Sequence, residues 1–459
     1  MTRKFDAIII GTGQSGPALA NRMNQQGWQV AVLERHLFGG TCVNVGCIPT
    51  KTLVASARAA HMARRGAEFG VVIDSAVRVD MKRVKARKDE IAGQSNRGVT
   101  NWLNGMENAT VIQGHGRLTG PNTVEVNGET LESGRIIINV GARAAIPPLP
   151  GIDSVPYFTN SGMMEVDFLP EHLVIVGGSY IGLEFSQIYR RFGSEVTVVE
   201  RKERVVSREE PEISEAIREI LESEGVHFRL GAECISISSE GEGVKVGVDC
   251  EVGPPAVTGS HLLVATGRRP NTDDLGLDKA GVAVNDRGII QVDDQLHTNV
   301  PGIWAIGECN GRGAFTHTSY NDFEILAANM FDNDPRRVTD RILCYALFID
   351  PPLGRVGMTE QEVRASGRKA LVGKRMMTRV SRARERSETQ GFIKILVDAE
   401  NDQILGATIL GINGDEVVHC LLDIMYAKAP YTVISRAVHI HPTVSELIPT
   451  VLQELKPLE

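Results

Sequence analysis

The chain carries two copies of one pattern of apolar and polar positions. In the first copy, the apolar residues 7–10 are followed by GTGQSG, a helix-like stretch to Gly27, the apolar run WQVAVL and Glu34. Short apolar runs bounded by glycine are typical of buried strands, and the stretch between the two runs has the length of a helix. The pattern predicts a strand, a glycine turn, a helix and a second strand that ends at an acid.

The second copy keeps the same order. Residues 173–176 form an apolar run, GGSYIG follows, a helix-like stretch ends at Gly193, and the run EVTVV leads to Glu200. In both copies the closing acid lies 23 residues after the first glycine. This order is what a dinucleotide-binding unit requires, with the acid accepting a ribose hydroxyl. One glycine-rich turn is a weak signal, but two ordered copies favour two nucleotide sites over chance turns.

Small residues in each turn let the backbone approach a pyrophosphate at the N-terminus of the following helix, where amides and dipole favour an anion. Ser179 stands where the second copy would have its middle glycine, and its side chain is small enough to keep the turn. The predicted turn residues are Gly11, Gly13 and Gly16 in the first copy and Gly177, Gly178, Ser179 and Gly182 in the second.

The acid of the second copy bears on the choice of nicotinamide nucleotide. A carboxylate at this position hydrogen-bonds a free 2'-hydroxyl and repels a 2'-phosphate, so Glu200 favours NADH. Arg201, Lys202 and Arg204 follow immediately and would suit the phosphate of NADPH. NADH is the preferred prediction, and NADPH stays open.

Cys42 and Cys47 are two closely spaced thiols in the run GGTCVNVGCIPTK, and Lys51 follows them. A loop this short would stabilise a chain of this size very little, so a purely structural disulfide is a poor explanation. Zinc would need two further ligands at a recognisable spacing, and no such cluster follows. Redox chemistry is therefore favoured over metal binding, and we expect no metal site.

Composition and charge exclude several classes of function. The chain has 459 residues, 42% hydrophobic and 23% charged, which is typical of a globular protein of about three domains. A net charge of -8 argues against a nucleic-acid partner. No apolar run approaches the roughly 18 residues of a membrane helix, and the first residues run straight into a strand without a cleavable signal. We expect a soluble, cytoplasmic protein without a membrane partner.

Cysteine usage agrees with a reducing compartment. The chain has seven cysteines, and only Cys42 and Cys47 form a close pair. The remaining ones are expected to be buried free thiols, namely Cys234, Cys250, Cys309, Cys344 and Cys420.

With these motifs in place, the chain resembles the pyridine nucleotide-disulfide oxidoreductases, the family of glutathione reductase, dihydrolipoamide dehydrogenase and mercuric reductase. Besides the glycine repeats and the cysteine run, the resemblance rests on ATGRRPN, TNVPGIWAIGEC and HPTVSEL and covers essentially the whole chain. GTGQSGPALA, GGSYIGLEF and GAFTHTSYND are most similar to bacterial mercuric reductase-like proteins. The resemblance implies an α/β fold with two Rossmann-like domains, for FAD and NAD(P), and a C-terminal α+β dimerisation domain.

The resemblance also implies domain bounds. The turn-rich PPLPG links a first FAD-binding part, residues 1–149, to a nicotinamide domain at 150–271. GRRPNTDD returns the chain to a second FAD part at 272–340, and alternating apolar strands and helix-like runs suggest an interface domain at 341–459. INVGAR stands where relatives read ATG; we interpret it as a strand crossing the FAD domain, with Gly141 allowing close backbone packing.

Site residues carry over position by position. Cys47 would face the flavin and Cys42 would attack the substrate as a thiolate, with a helix N-terminus lowering its pKa. Lys51 and Glu184 match an ion pair near the flavin, and Tyr180 matches a gating tyrosine. The residues implied for FAD are Gly11, Gly13, Ser15, Gly16, Glu34, Arg35, Gly40, Thr41, Lys51, Gly141, Gly307 and Glu308, the last where relatives have an aspartate that meets the ribityl chain. Those implied for NAD(P) are Gly177, Gly178, Ser179, Tyr180, Ile181, Gly182, Glu200, Arg201 and Gly267.

A disulfide reductase also needs an acid that protonates the leaving thiolate. His441 titrates near working pH, and Glu446 five residues later would orient it and raise its pKa. His439 is interpreted as structural. In relatives this histidine reaches the active site of the opposite subunit, which implies a homodimer.

The expected function is NAD(P)H-dependent reduction of a small disulfide through FAD and the Cys42–Cys47 redox disulfide. Reduction of a metal ion or a quinone is the alternative, with Hg(II) disfavoured because the chain ends VLQELKPLE without the cysteine pair of mercuric reductases. A non-enzymatic flavoprotein that senses NAD(H) is a third possibility. It would have no need of the two thiols, His441 and Glu446 together.

Overall fold

The computed structural model describes residues 2–233, 235–249 and 253–459. Cys234 and Cys250 therefore lie outside the described residues. Of the other cysteines expected to be free and buried, Cys309 is a buried free thiol, while Cys344 and Cys420 are free and half-buried.

The first third of the chain builds a parallel sheet and the helices that cover it. Its strands are short and apolar, because both faces of the sheet are buried. The elements are β1 (Thr2–Lys4), β2 (Ala7–Ile10), α1 (Ser15–Gln25), β3 (Val30–Glu34), α2 (Gly40–Asn44), α3 (Cys47–Arg64), α4 (Met81–Asn104), β4 (Ala109–Gln113), β5 (Arg117–Gly120), β6 (Thr123–Val126), β7 (Glu129–Glu132), β8 (Ile136–Ile138) and β9 (Ala142–Ala144).

The second unit repeats the arrangement. The predicted apolar run becomes β10, and Pro at the start of α7 suits the first turn of a helix. The elements are α5 (Asn160–Met163), β10 (His172–Val176), α6 (Tyr180–Phe192), β11 (Glu195–Val199), α7 (Pro211–Ser223), β12 (Val226–Arg229), β13 (Ser236–Glu240), β14 (Gly243–Gly247), β15 (Ala256–Gly259) and β16 (His261–Val264).

The chain then returns to the first sheet and ends in an antiparallel one. The return comprises β17 (Arg268–Pro270), α8 (Leu277–Ala280), β18 (Ile303–Ala305) and α9 (Thr316–Ala327). The last part comprises β19 (Cys344–Leu347), β20 (Leu353–Gly357), α10 (Glu360–Ala365), β21 (Ala370–Met376), α11 (Ser381–Glu385), β22 (Phe392–Asp398), β23 (Ile404–Leu410), α12 (Gly414–Val417), α13 (His419–Tyr426), α14 (Thr432–Ser435), α15 (Ile448–Gln453) and β24 (Lys456–Pro457).

Sheet order gives the architecture. The parallel sheet β18-β8-β2-β3-β4 takes its edge strand β18 from the return segment, and the second unit forms the parallel sheet β12-β11-β10-β16. The crossovers from β2 to β3, from β10 to β11 and from β11 to β12 run through helices, as in a doubly wound fold, whereas β8 and β16 each follow three antiparallel strands. The last part is the six-stranded antiparallel sheet β19-β20-β23-β22-β21-β24. The predicted fold class, two Rossmann-like units and a C-terminal α+β domain, is confirmed.

One local expectation is wrong. INVGAR is not a continuous strand, because β8 ends at Ile138 and β9 begins at Ala142. Gly141 lies between them at φ +61°, and a Cβ there would meet no atom within 4 Å. The glycine is therefore required by a left-handed backbone turn and not by close packing.

Candidate active site

A single cavity of about 1970 Å³ extends from the first glycine turn, past the two cysteines, to the second glycine turn. Most of the residues predicted for the site line it. They are Gly11, Gly13, Glu34, Arg35, Gly40, Thr41, Cys42, Cys47, Lys51, Gly141, Gly177, Gly178, Ser179, Tyr180, Ile181, Glu184, Glu200, Arg201, Gly267, Gly307 and Glu308. Ser15, Gly16, Gly182, His441 and Glu446 are not among the lining residues.

The first glycine turn joins β2 to α1 through very close backbone contacts. Gly11 has φ +104°, and a Cβ there would lie 2.3 Å from the carbonyl oxygen of Asn139. A Cβ on Gly16 would lie 2.5 Å from the Gly11 oxygen, so Gly16 supports the turn from outside the cavity. Ser15 is buried, and its hydroxyl donates to Asn139 Oδ1 at 3.1 Å and lies 2.8 Å from the Ser319 hydroxyl.

Glu34 is buried at the end of β3 and is held from two sides. One carboxylate oxygen accepts from the Thr12 amide at 3.0 Å and the Thr12 hydroxyl at 2.7 Å. The other accepts from the His36 amide at 2.9 Å. Arg35 forms an ion pair with Asp274 at 3.1 Å. The predicted ribose-binding acid is thus fixed beside the first turn by the chain's own donors.

The second glycine turn has the same geometry. A Cβ on Gly177 would lie 2.4 Å from the Ala265 oxygen, and one on Gly182 would lie 2.0 Å from the Gly177 oxygen. Ser179 has φ -106°, an extended conformation that any residue adopts, which explains why a serine is tolerated there. Glu200 accepts from the Gly178 amide at 2.6 Å and from the Lys202 amide at 2.8 Å.

The two thiols lie between the nucleotide turns and differ in environment. Cys47 is the first residue of the 18-residue helix α3, where the helix dipole favours a thiolate, whereas Cys42 sits inside the five-residue α2. The Cys42 thiol, the Thr316 hydroxyl at 3.0 Å and the charge of Lys51 lower the pKa of Cys47 to about 6. The same hydrogen bond, with burial, raises the pKa of Cys42. The helix N-terminus that follows the glycine turn was expected to lower the pKa of Cys42; Cys42 is the third residue of that helix, α2, but its pKa is raised instead.

Cys42 is half-buried and Cys47 is exposed. Thr316, the first residue of α9, lies on an element more than 250 positions away from Cys47 in sequence, so spacing gave no signal for this contact. Thr316 belongs to the segment GAFTHTSYND, for which the sequence offered only a resemblance to mercuric reductase-like proteins and no specific role.

Lys51 and Glu184 form the predicted ion pair across α3 and α6. Lys51 Nζ lies 2.8 Å and 3.0 Å from the two carboxylate oxygens, and the Glu184 side chain is only 8% exposed. The Phe348 amide donates to Glu184 at 3.1 Å, and Lys51 Nζ lies 4.5 Å from the centre of the Phe348 ring. A cation is therefore held beside Cys47 in a fixed position.

Glu308 is occupied by an intramolecular partner. Arg268 forms a bidentate ion pair with it: Nε donates to Oε1 of Glu308 at 2.6 Å, and Nη2 donates to Oε2 at 2.9 Å. The neighbouring Gly307 amide donates to Asp322, a buried carboxylate that also accepts from Asn310 and Arg341. Burial raises the pKa of Asp322. Sequence reasoning missed Arg268 and Asp322, because both contacts depend on how the return segment folds.

His441 lies apart from the cavity within one chain. Its side chain is 74% exposed, and its Nδ1 lies 2.9 Å from the carboxylate of Glu446. The predicted pairing of histidine and acid is present, and within the described residues the second ring nitrogen makes no hydrogen bond. Tyr180, the first residue of α6, lines the cavity, and its hydroxyl donates to Glu209 at 2.7 Å.

Two further properties concern the described part of the chain only. None of its helices is long and apolar enough to cross a bilayer. In the same ranges, no group of three or more His, Cys, Asp or Glu side chains is arranged to hold a metal ion.

Comparisons with known proteins agree with this geometry. Residues 5–322 match the family described as pyridine nucleotide-disulphide oxidoreductase, and residues 344–452 match the dimerisation domain of that family. The chain is 35% identical over 451 residues to the probable pyridine nucleotide-disulfide oxidoreductase RclA of Escherichia coli K12, covering 96% of this chain and 97% of RclA. It is 33% identical over 418 residues to a mercuric reductase of Bacillus cereus, covering 90% of this chain and 66% of that protein.

A solved structure shows the same likeness in three dimensions. The Cu(II) complex of the HOCl-induced flavoprotein disulfide reductase RclA from Escherichia coli superposes with a TM-score of 0.89 at 33% identity, covering 98% of this chain and 99% of that one. This family binds FAD and a pyridine nucleotide and assembles through its dimerisation domain, and its members are oxidoreductases, not passive binding proteins. The chain belongs to the pyridine nucleotide-disulphide oxidoreductases.

Proposed function

We propose that this protein reduces a small disulfide with electrons from NADH, through FAD and the pair Cys42 and Cys47. The observation that carries the proposal is the single cavity that joins both glycine turns and exposes both thiols between them. A hydride donor at one end and a disulfide near the middle would thus share one enclosed path.

The residues present fit FAD. The close backbone approach at Gly11 and Gly16 leaves the N-terminus of α1 open to a pyrophosphate, and a Cβ on Gly40 would lie 2.8 Å from Gly13 Cα and narrow that space. Glu34 would meet a ribose hydroxyl, and Gly307 with Glu308 would lie beside the flavin end of the cavity. When bound, FAD would accept a hydride from the nicotinamide and pass two electrons to the adjacent disulfide.

The unequal thiols support a division of labour. Two electrons break the Cys42–Cys47 bond and leave two sulfurs, of which Cys47 stays a thiolate because its pKa is lowered to about 6. Cys42, whose pKa is raised, needs a base before it can attack. Its thiolate then attacks one sulfur of the substrate, forms a mixed disulfide and expels the first thiol. Cys47 attacks the Cys42 sulfur, restores the internal disulfide and releases the second thiol. The sum is NADH, one proton and one disulfide giving NAD⁺ and two thiols.

The base and acid would come from a second copy of the chain. His441 is exposed, and its contact with Glu446 fixes the orientation of its ring. The match of residues 344–452 to a dimerisation domain supports a homodimer in which His441 of the partner subunit takes the Cys42 proton and protonates the leaving thiol.

Lys51 and Tyr180 would serve the hydride step. The fixed ammonium of Lys51 would stabilise negative charge that develops nearby, and Glu184 holds it in place. Tyr180 lies one helical turn before Glu184 on α6, at the wall between the thiols and the second glycine turn. It would cover the nicotinamide site until the nucleotide binds.

The nucleotide preference is proposed to be for NADH. Glu200 is anchored by two backbone amides, so its carboxylate is held where a ribose hydroxyl would be and opposes a 2'-phosphate. Arg201 and Lys202 are exposed at the rim of the cavity and would lessen that penalty for NADPH.

Reduction of a metal ion is the second candidate. RclA was solved as a Cu(II) complex, and the Bacillus cereus relative is a mercuric reductase. Two Cu(II) ions would take the two electrons of one NADH, giving two Cu(I), NAD⁺ and a proton. Paired thiolates are good ligands for Cu(I), which makes this acceptor chemically compatible with Cys42 and Cys47.

The test is oxidation of NADH and NADPH by FAD-loaded dimer with a panel of disulfides, Cu(II), Hg(II) and quinones. Wild type is compared with Cys42→Ser, and Cys420→Ser, a half-buried thiol outside the cavity, is the matched control. We expect turnover of a disulfide that is lost in Cys42→Ser and kept in Cys420→Ser. Turnover of metal ions or quinones alone that survives Cys42→Ser would contradict the proposal, because electrons would then leave without the outer thiol.

A further inference from the structure

A buried carboxylate lies behind Tyr180. Glu209 is 3% exposed, and one of its oxygens accepts from two phenols, Tyr180 at 2.7 Å and Tyr345 at 2.6 Å. Burial and the carboxylate raise the pKa of both tyrosines, so both remain protonated donors. Tyr180 belongs to the second nucleotide unit and Tyr345 to β19 of the last sheet. One carboxylate therefore ties two parts of the fold together at the cavity wall.

The other oxygen of Glu209 has no hydrogen-bond partner among the described residues. Arg355, itself 1% exposed, brings its Nε only to 3.9 Å. A buried carboxylate that loses its donors carries a large free-energy penalty, so the two phenols matter to it more than surface hydrogen bonds would.

The segment before Glu209 is strained and tied to the nucleotide turn. Val206 has φ +38°, a conformation that β-branched residues rarely adopt. Its amide donates to the Gly178 oxygen at 2.8 Å, and the Glu209 amide donates back to the Val206 oxygen at 2.7 Å. Strain that is held in place by the surroundings is typical of functional sites. Glu209 is thus rigidly positioned relative to the turn that would bind the nicotinamide nucleotide.

The Tyr180 ring has aromatic walls on two sides. It meets Phe315 edge-on at 6.4 Å and Tyr345 edge-on at 5.9 Å between ring centres, and all three residues line the cavity. To uncover the cavity, the ring has to leave these contacts and its hydroxyl has to leave Glu209. Tyr345 would stay on the carboxylate, so Glu209 would keep one donor while the tyrosine is away.

We propose that Glu209 and Tyr345 form a latch that holds Tyr180 closed and sets how tightly the nicotinamide nucleotide binds. The proposal rests on Tyr180 being the gate of the proposed function. Glu209 accepts the hydrogen bond that holds Tyr180 closed. Tyr345 lowers the free-energy cost of opening, because it still donates a hydrogen bond to the buried carboxylate when Tyr180 has moved away. Both are positioning residues, because they act through Tyr180.

The two residues then act in opposite directions. In Tyr345→Phe, opening leaves the buried carboxylate without a phenol donor, so the closed state is favoured and nucleotide binding weakens. In Glu209→Gln, a neutral oxygen accepts a weaker hydrogen bond, so the gate opens more readily and binding tightens. Since the apparent dissociation constant scales inversely with the open fraction, we expect a rise of roughly tenfold for Tyr345→Phe and a fall of about threefold for Glu209→Gln.

The experiment is calorimetric titration of NAD⁺ and NADP⁺ into FAD-loaded dimer, with stopped-flow flavin reduction by the matching reduced nucleotide. Tyr189→Phe, which removes a buried hydroxyl from the same helix outside the latch, is the control and is expected to bind as wild type does. The latch predicts dissociation constants that move in opposite directions while the rate of flavin reduction at saturation changes less than twofold.

Several outcomes would overturn the latch. One is a nucleotide dissociation constant within twofold of wild type in both variants. Another is a dissociation constant that shifts in the same direction in both variants, and the third is a change that affects only the rate of flavin reduction at saturation. If Glu209→Gln does not fold, Tyr345→Phe decides alone: tighter or unchanged binding overturns the latch. Failure of the proposed function would look different, because wild type would then bind nucleotide and yet reduce no disulfide.

Discussion

The two nucleotide units have the same backbone arrangement, but they differ in burial and in the hydrogen bonds and ion pairs at the acid that ends each motif. In the first unit, Glu34 is buried and accepts three hydrogen bonds, and the adjacent Arg35 is paired with Asp274. In the second unit, Glu200 is half-buried and accepts two, and the adjacent Arg201 is exposed.

This difference matches two kinds of ligand. A closed, internally bonded pocket suits a cofactor that stays bound, whereas an open rim with exposed charge suits a nucleotide that binds and leaves in every turnover. The latch proposed at Glu209 and Tyr345 would act on the nucleotide of the second unit only, although Tyr345 itself lies on β19 of the last sheet. The comparison implies that equivalent substitutions in the two units give different phenotypes.

The largest effect is expected from the first glycine of each turn. In Gly11→Ala and Gly177→Ala the new Cβ would lie 2.3 Å and 2.4 Å from a carbonyl oxygen, at φ +104° and +118°. Both backbones must shift, but Gly11→Ala is expected to lose FAD, while Gly177→Ala keeps FAD and loses at least about tenfold in flavin reduction by NADH. Flavin content and stopped-flow rates measure the two effects.

Gly27→Ala is the control for this pair. Gly27 has φ +76° but no atom within 4 Å of a Cβ, so only the backbone conformation is penalised, by about 1–2 kcal/mol. It should retain both FAD and NADH activity. Loss of FAD in Gly177→Ala as well would remove the distinction between the units.

The next effect separates the two acids. Glu34→Ala leaves the Thr12 and His36 amides without their acceptor, and we expect FAD affinity to fall about tenfold or more. Glu200→Ala should leave FAD bound and shift the ratio of kcat/KM for NADH over NADPH toward NADPH by roughly tenfold. Fluorescence titration of FAD and steady-state kinetics measure the two. An unchanged ratio in Glu200→Ala would contradict its proposed role.

A smaller effect concerns the thiols, which lie on α2 and α3 of the first unit. Because the pKa of Cys47 is lowered to about 6, its thiolate persists above that pH and is lost as the pH falls through it. Lys51→Met removes a charge that lowers this pKa, so the midpoint should rise by about one pH unit. Site-resolved alkylation of dithiothreitol-reduced protein, followed by mass spectrometry, reports it. A second-unit substitution, Glu200→Ala, should leave the midpoint in place.

The smallest effect is expected at the rim of the second unit. Arg201→Ala removes an exposed charge, which is screened by salt and should raise KM for NADPH about two- to threefold with little change for NADH. The contrast should shrink at high ionic strength. Equal effects on both nucleotides would show that Arg201 does not approach the ribose.

Much of this site could be predicted because its signals are local in sequence. The repeated order of apolar run, glycine turn and acid gave both nucleotide units, since periodicity and turn chemistry act over a few residues. Cys42 lies in the short helix α2, and Cys47 and Lys51 lie near the start of the next helix, α3. His441 and Glu446 are five residues apart and contact each other as expected.

The remainder could not be predicted because it depends on contacts between distant segments. Glu209 meets Tyr345, 136 positions away, and Cys47 meets Thr316, 269 positions away. The lowered pKa of Cys47 could not be foreseen for the same reason, because part of it comes from the Thr316 hydroxyl. The prediction for Gly141 was wrong because a left-handed backbone conformation and a close backbone contact both favour glycine, so the residue type alone does not distinguish them.

The most direct test of the account is a thiol count on FAD-loaded wild type, denatured anaerobically with and without prior reduction by NADH. The chain has seven cysteines, so electron transfer to a Cys42–Cys47 disulfide predicts five reactive thiols per chain before reduction and seven after it. Cys42→Ser should show no increase. An unchanged count in wild type, with the flavin bleached, would mean that electrons stop at the flavin and that the dithiol pathway is wrong.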